Sequence, residues 1–271
     1  MGMSVNTNAG AMIALQSLTS TNHSLEKTQL RITTGLKVGG PKDDAATFAI
    51  AQNMRGDIAG MGAVKTNLAL GQSITNVAID AGKAVADLLT EMKAKAVQAS
   101  QEGLDTDSYT ALHAEFTSLR AQVESIVATA EFNGKNLIDS ASTDLKVLST
   151  VDGSTITVTS QHIDATSLAI HSASLTNATV AATALTAISQ AIIDVSNALA
   201  SLGSGAKRID IQAEFTGKLM DILKQGVGNL VDADLAQESA NLQAYQIKQQ
   251  LGVQALAIAN AGPQSILALF Q

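Results

Sequence analysis

The apolar positions of this chain recur mostly at helical spacing, and the repeat changes from one segment to the next. Between residues 14 and 36, Ala14, Leu18, Thr21, Leu25, Thr28 and Ile32 fall on one heptad-like seam, which predicts a helix. Threonine at seam positions makes the stripe weak, and such a helix is marginal in water by itself. Gly39-Gly40-Pro41 is a break. Pro41 with Asp43 and Asp44 behind it reads as a helix start. The following helix is expected over about 42–102, with apolar positions at an eleven-residue interval: Ile74, Val85, Ala96; Leu70, Ala81, Met92; Val77, Leu88, Ala99. That repeat keeps a stripe on one side of a nearly straight helix. Gly56, Gly60, Gly62, Gly71 and Gly82 interrupt it, each at a cost of ~1 kcal/mol in a helix interior.

Gly103 to Asp107 reads as a turn. A helix over 107–130 follows on the heptad Tyr109, Leu112, Phe116, Leu119, Val123, Ile126 and Ala130, folding back because a short loop favours antiparallel neighbours. From residue 145 the period becomes two. Leu145, Val147, Ile156 and Val158 alternate with polar residues around Asp152-Gly153, the pattern of a β-hairpin with a tight turn. Residues 160–180 are Ser/Thr-rich without a clear period and read as loop, so that 137–180 forms a hairpin and outward tip. A third long helix is expected over 181–225, on a heptad that runs from Leu185 through Ile192, Leu199 and Ile209 to Leu230, with Gly203 and Gly205 expected to bend or loosen it. Beyond 231, Ala244, Ile247, Leu251, Ala255 and Ile258 make one apolar face and Leu242, Tyr245, Val253 and Leu256 another. A helix apolar on two sides needs two partners: the N-terminal helix, and a neighbouring copy.

The fold class that follows is mainly α: a long antiparallel helical coiled coil or bundle formed by the N- and C-terminal segments, with a small β-hairpin. An inner domain is expected from 1–38 plus 226–271, and a rod domain from 39–225. Composition agrees. Of 271 residues 46% are hydrophobic but only 3% aromatic, with no tryptophan. Alanine thus carries much of the apolar count, and small side chains bury little area each at roughly 25 cal/mol per Å². Extended contacts, or a second partner, must make up the difference.

Composition also narrows the function. A net charge of -7 is the wrong sign for a nucleic-acid binder. Cysteine is absent, which removes disulfides and thiolate chemistry. No run of ~18 uninterrupted apolar residues occurs, so no membrane insertion is expected, and no ordinary signal peptide is legible at the start. His23, His113, His162 and His171 have no metal-binding spacing and read as surface or tip residues. No G-x-S-x-G elbow or phosphate loop appears. No catalytic, cofactor or metal site is expected. The two ends are complementary in charge: Lys27, Arg31 and Lys37 against Glu26 leave +2 in residues 1–40, while Lys248 against Asp232, Asp234 and Glu238 leaves -2 in 226–271.

Short boxes at the two ends carry a family likeness. The first end holds Ser-Val-Asn-Thr-Asn (4–8), Leu-Arg-Ile-Thr-Thr-Gly-Leu-Lys-Val (30–38) and Lys-Asp-Asp-Ala-Ala (42–46). The second holds Val-Asp-Ala-Asp-Leu-Ala-Gln-Glu-Ser (231–239) and Gln-Gln-Leu-Gly-Val-Gln-Ala-Leu-Ala-Ile-Ala-Asn (249–260). Glu131-Phe132-Asn133-Gly134 matches a further box after the second long helix. Together these resemble bacterial flagellin in a short form without large outer domains, over roughly 1–140 and 180–271.

The resemblance implies a structural subunit that self-assembles into the flagellar filament, is exported through the flagellar type III channel without a cleaved signal, and works outside the cell. It implies as partners other copies of the chain, an export chaperone, and cap and junction proteins. The hook–filament junction protein is the nearest alternative; a surface adhesin or glycan binder on a flagellin scaffold is another. The residues expected to carry assembly are Leu18, Leu25, Ile32, Leu242, Ile247, Leu251, Leu256, Ile258 and Phe270. Ser154, Ser160, Ser167 and Ser172 are candidate O-glycosylation positions. The receptor-recognition helix of many flagellins resembles L-Q-R-x-R-E-L-A-V-Q; here Glu91 replaces an arginine and Lys95 a leucine, while Glu115 matches the family's acidic partner. Such losses cost of order 1–3 kcal/mol per hot spot, so weak sensing by the vertebrate Toll-like flagellin receptor is expected.

Overall fold

A computed structural model describes residues 7–267, with side chains to residue 261. Five helices carry the architecture: α1 Ala9–Thr34, α2 Ala45–Ala99, α3 Thr106–Thr129, α4 Ala178–Val231 and α5 Leu235–Leu267. Two small antiparallel ladders lie between α3 and α4: β1 Glu131–Phe132 with β2 Lys135–Asn136, and β3 Leu145–Leu148 with β4 Thr155–Val158.

Side chains set most helix ends. Asn8 caps α1 by accepting the Ala11 amide, and Gly35, at φ 71°, closes it by donating to the Arg31 carbonyl. Asp44 accepts the Ala46 and Thr47 amides at the head of α2; Asp105 does the same for Ser108 at α3. Asp234 caps α5 through Ala236 and Gln237. Each such cap contributes roughly 1 kcal/mol. The cap at Asp234 also explains a break between α4 and α5 that the heptad pattern leaves unmarked.

The chain divides into two compact units, one from 57–221 and the other from 1–56 with 222–271. The boundaries of these units lie inside α2 and α4. Packing gives the reason: Met54 sits directly against Gly226, where an added Cβ would come within 3.0 Å of its terminal methyl carbon.

The 57–221 unit has one buried cluster, including Leu68, Leu89 and Met92 of α2, Phe116 and Val123 of α3, and Ile188, Val195 and Leu202 of α4. Leu145, Val147, Ile156 and Val158 add the inner face of the β3–β4 hairpin, with Gly153 at φ 90° in its turn. Three glycines seat that hairpin. A Cβ on Gly71 would meet Val147 at 2.5 Å, on Gly60 Val151 at 2.9 Å, and on Gly205 Val158 at 2.8 Å. α4 runs as one helix through Gly203 and Gly205.

Residues 160–177 form neither helix nor strand, and part of the segment turns inward. Ile163, Ala165, Leu168, Ile170 and Leu175 are buried in the same cluster. Arg120 fastens this segment by donating to the carbonyls of His171 and Ala173. His113, read as a surface residue, accepts the Leu175 amide through Nδ1 at 3.2 Å and serves as a structural tie. The first part of α4 is apolar enough on average to meet the composition of a membrane span. Its apolar side is used inside the unit: Ala181, Ala184, Ile188, Ala191, Val195, Ala198 and Leu202 are all buried.

Candidate functional site

The paired ends of the chain form the candidate site. In the unit made of 1–56 and 222–271, α1 and α5 lie side by side and antiparallel. Asn8 donates through Nδ2 to the Ala259 carbonyl at 2.8 Å. Gln249 donates to Asn22 Oδ1 at 2.8 Å. Arg31 pairs with Glu238 at 2.7 Å. Gly252 lets the helices approach, since a Cβ there would stand 3.1 Å from Leu18 Cδ1.

Beyond Arg31 the two ends of the chain are clipped together by backbone hydrogen bonds. The Lys37 and Val38 amides donate to the Val231 carbonyl, and the Ala233 amide to Gly35. Leu36 and Asp232 form the accompanying bridge. Asp43 accepts the Gly39 amide and lies 3.5 Å from Lys27; that amide and the lysine hold its carboxyl below the ordinary range.

The seam between α1 and α5 is the predicted heptad. Ala14, Leu18, Thr21, Leu25, Thr28 and Ile32 are half-buried or buried, as are Leu242, Tyr245, Gln249, Gly252, Leu256 and Ala259 opposite them. Much of this seam is polar or small, so it removes little apolar surface from water. The other faces stay open. Ile247, Leu251 and Ile258 of α5 are exposed, Ile258 to 75%. Met12, Ile13, Leu15 and Leu30 of α1, and Leu235 and Val253 of α5, are exposed with them. The nine expected assembly residues therefore separate. Leu18, Leu25, Ile32, Leu242 and Leu256 face the partner helix of the same chain, Ile247, Leu251 and Ile258 face outward, and Phe270 lies outside the described residues. The α1 residues of the open face, off the heptad, carry no periodic signal that would have singled them out.

In the 57–221 unit, Glu91 is exposed and Lys95 forms an ion pair with Glu115. Ser154 and Ser172 are exposed. Ser160 and Ser167 direct their hydroxyls to Asp144 and Asp164. Among the described residues no group of three or more His, Asp or Glu side chains is placed to hold a metal ion.

An open apolar stripe along a paired helix is a candidate interaction surface, and the comparisons with known proteins give it a context. Residues 5–143 match the bacterial flagellin N-terminal helical region and residues 185–270 the C-terminal helical region. The chain is 48% identical to flagellin FljM of Caulobacter vibrioides, over 99% of this chain and 98% of that one. It is 37% identical to a flagellin of Brucella melitensis, over 99% of each. In fold alone it is similar to the crystal structure of Bacillus cereus flagellin, with TM-score 0.51 and 22% identity over 55% of this chain and 88% of that one. A putative flagellar hook-associated protein from Vibrio parahaemolyticus gives TM-score 0.59 and 15% identity, over 70% and 100%. Full-length similarity to named flagellins favours the filament subunit over the junction protein, and with both terminal regions matched the chain belongs to the bacterial flagellins, the structural subunits of the flagellar filament.

Proposed function

We propose that assembly proceeds by delayed burial at the α1–α5 pair, which a neighbouring copy completes. The observation that carries this reading is the exposed row Ile247, Leu251 and Ile258, on a helix whose opposite face is already taken by α1. A seam of threonine, alanine and glutamine offsets little of the ordering cost, ~1–2 kcal/mol per residue of backbone. Covering the open stripe with a neighbouring copy supplies the missing burial. Ends that order only on assembly also suit export through a narrow type III channel, and give an export chaperone, a cap and a junction protein apolar helices to hold. On this reading the working place of the protein is extracellular.

The test is seeded growth. Purified chain, added to short filament fragments and viewed by electron microscopy, is expected to extend them into long tubes of uniform diameter. Ile258→Ser is expected to slow extension about tenfold or more while leaving the melting of the 57–221 unit unchanged. Short caps without further growth would point to a junction protein. No extension, with terminal amides already protected in the monomer, would overturn delayed burial.

A further inference from the structure

The chain has five phenylalanines, and two stand on the outside of the 57–221 unit: Phe132 is 39% exposed and Phe215 56%. Both are held on ordered backbone. Phe132 precedes the turn Asn133-Gly134, with φ of 53° and 73°, and is paired with Lys135 in the β1–β2 ladder. Asn136 anchors that ladder by donating to the Val127 carbonyl at 2.7 Å. Phe215 edges a cleft of roughly 300 Å³ between α2, α4 and the β3–β4 turn, lined also by Met61, Val151 and Leu219. Asp57 and Asp152 give the cleft its charge, and neither forms an ion pair among the described residues. Lys135 donates to Thr143 and meets no carboxylate among the described residues.

We propose that the Phe132–Lys135 turn of one copy docks in the cleft of a second copy, with the ring against Phe215 and Val151 and the ammonium beside Asp57 and Asp152. This names a contact inside the assembly reading and rests on it. Acidic side chains outnumber basic ones over 57–221, so two such units repel unless a cation is placed locally at their contact. Lys135 beside an exposed aromatic ring, set against an apolar cleft with two carboxylates, meets that need. An aromatic anchor in a water-excluding pocket gives affinity, and the charges give orientation. Turn and cleft are built from different elements, and the contact is heterologous when the turn of one copy enters the cleft of a second while its own cleft is left for a third. Every copy then offers one of each, and association propagates instead of closing as a dimer.

The test uses the full chain, which has no cysteine of its own. Lys135→Glu is expected to slow seeded extension about tenfold. Adding Asp152→Lys to it should restore extension to within about threefold of the parent, as coupled neighbours do in a double-mutant cycle. Separately, Lys135→Cys with Asp152→Cys, treated with a short bis-maleimide, should give ladders of linked subunits in filaments and none in monomer. Unchanged extension by Lys135→Glu, a swap no better than the single variant, or normal filaments without ladders would each overturn the contact. A parent chain that fails to extend seeds would instead overturn the assembly reading beneath it.

Discussion

Arg31 and Glu238 are separated by 207 positions in sequence and meet at 2.7 Å. Glu238 is only 7% exposed. Burial alone would raise its pKa, but the hydrogen bond and charge of Arg31 outweigh burial and hold it below the ordinary value, with Thr28 and Asn241 also favouring the anion. Because the folded-state pKa is lowered, the pair's contribution is present above the unfolded value, ~4.3, and is lost as pH falls through the folded one. Arg31→Met is therefore expected to weaken filaments at pH 7 and, by removing the pair that acid breaks, to reduce their further loss of stability on acidification, followed by light scattering. Glu238→Gln should weaken filaments at pH 7 and flatten their response to acid. An unchanged dissociation profile in both variants would deny the pair any part in holding the ends. The complementary charge of the two ends was legible in the sequence, but as exposed pairs of at most ~1 kcal/mol. No spacing rule joins positions on two distant helices, so neither the pairing nor its burial could be read. Partial burial makes the loss of either partner cost more than an exposed pair would. His113 was missed for the same reason, its partner being a backbone amide 62 positions away.

At the scale of elements, period was readable and its exceptions were not. The α1 seam, the α3 heptad and the alternation of β3 and β4 all follow from spacing. The buried segment around Ile163, Leu168 and Leu175 has irregular backbone, so its inward residues have no period to find. Asn133-Gly134 is a strong hairpin signal, but two-residue strands on either side of it have no alternation to read. The α2 glycines looked like defects; three dimensions turn some of them into seats. This distinction is measurable. Gly71→Ala pushes against Val147 and should destabilise the monomer by about 1–3 kcal/mol. Gly62→Ala, with nothing within 4 Å of the added carbon, should stabilise it by about 0.5–1 kcal/mol. Thermal melting of the two variants in the same direction would refute the seating of the hairpin by glycine.

For the whole molecule, the reading that the C-terminal helix needs two partners came from its two apolar faces, and the structure fills one with α1. What a second molecule can be was legible only through the end boxes, because periodicity describes a helix and not its company. The same holds for recognition by a host. We propose weak engagement of the Toll-like flagellin receptor, since Lys95 already occupies Glu115 in an internal pair and Glu91 presents the opposite charge to the family's arginine. Purified, endotoxin-free protein in a receptor reporter cell is expected to give little signal, and a strong response would reject the proposal.

The backbone clip between residues 35–38 and 231–233 makes everything in between an excursion that departs and returns at one doorway. Length added to that excursion is invisible to α1 and α5, provided the guest brings its own two ends close together. The exposed turn at 101–103, with Gly103 at φ 95°, is a natural berth. A filament grown from such chains would be a scaffold carrying one passenger per copy, its spacing set by the polymer and its identity by whatever sequence is spliced in.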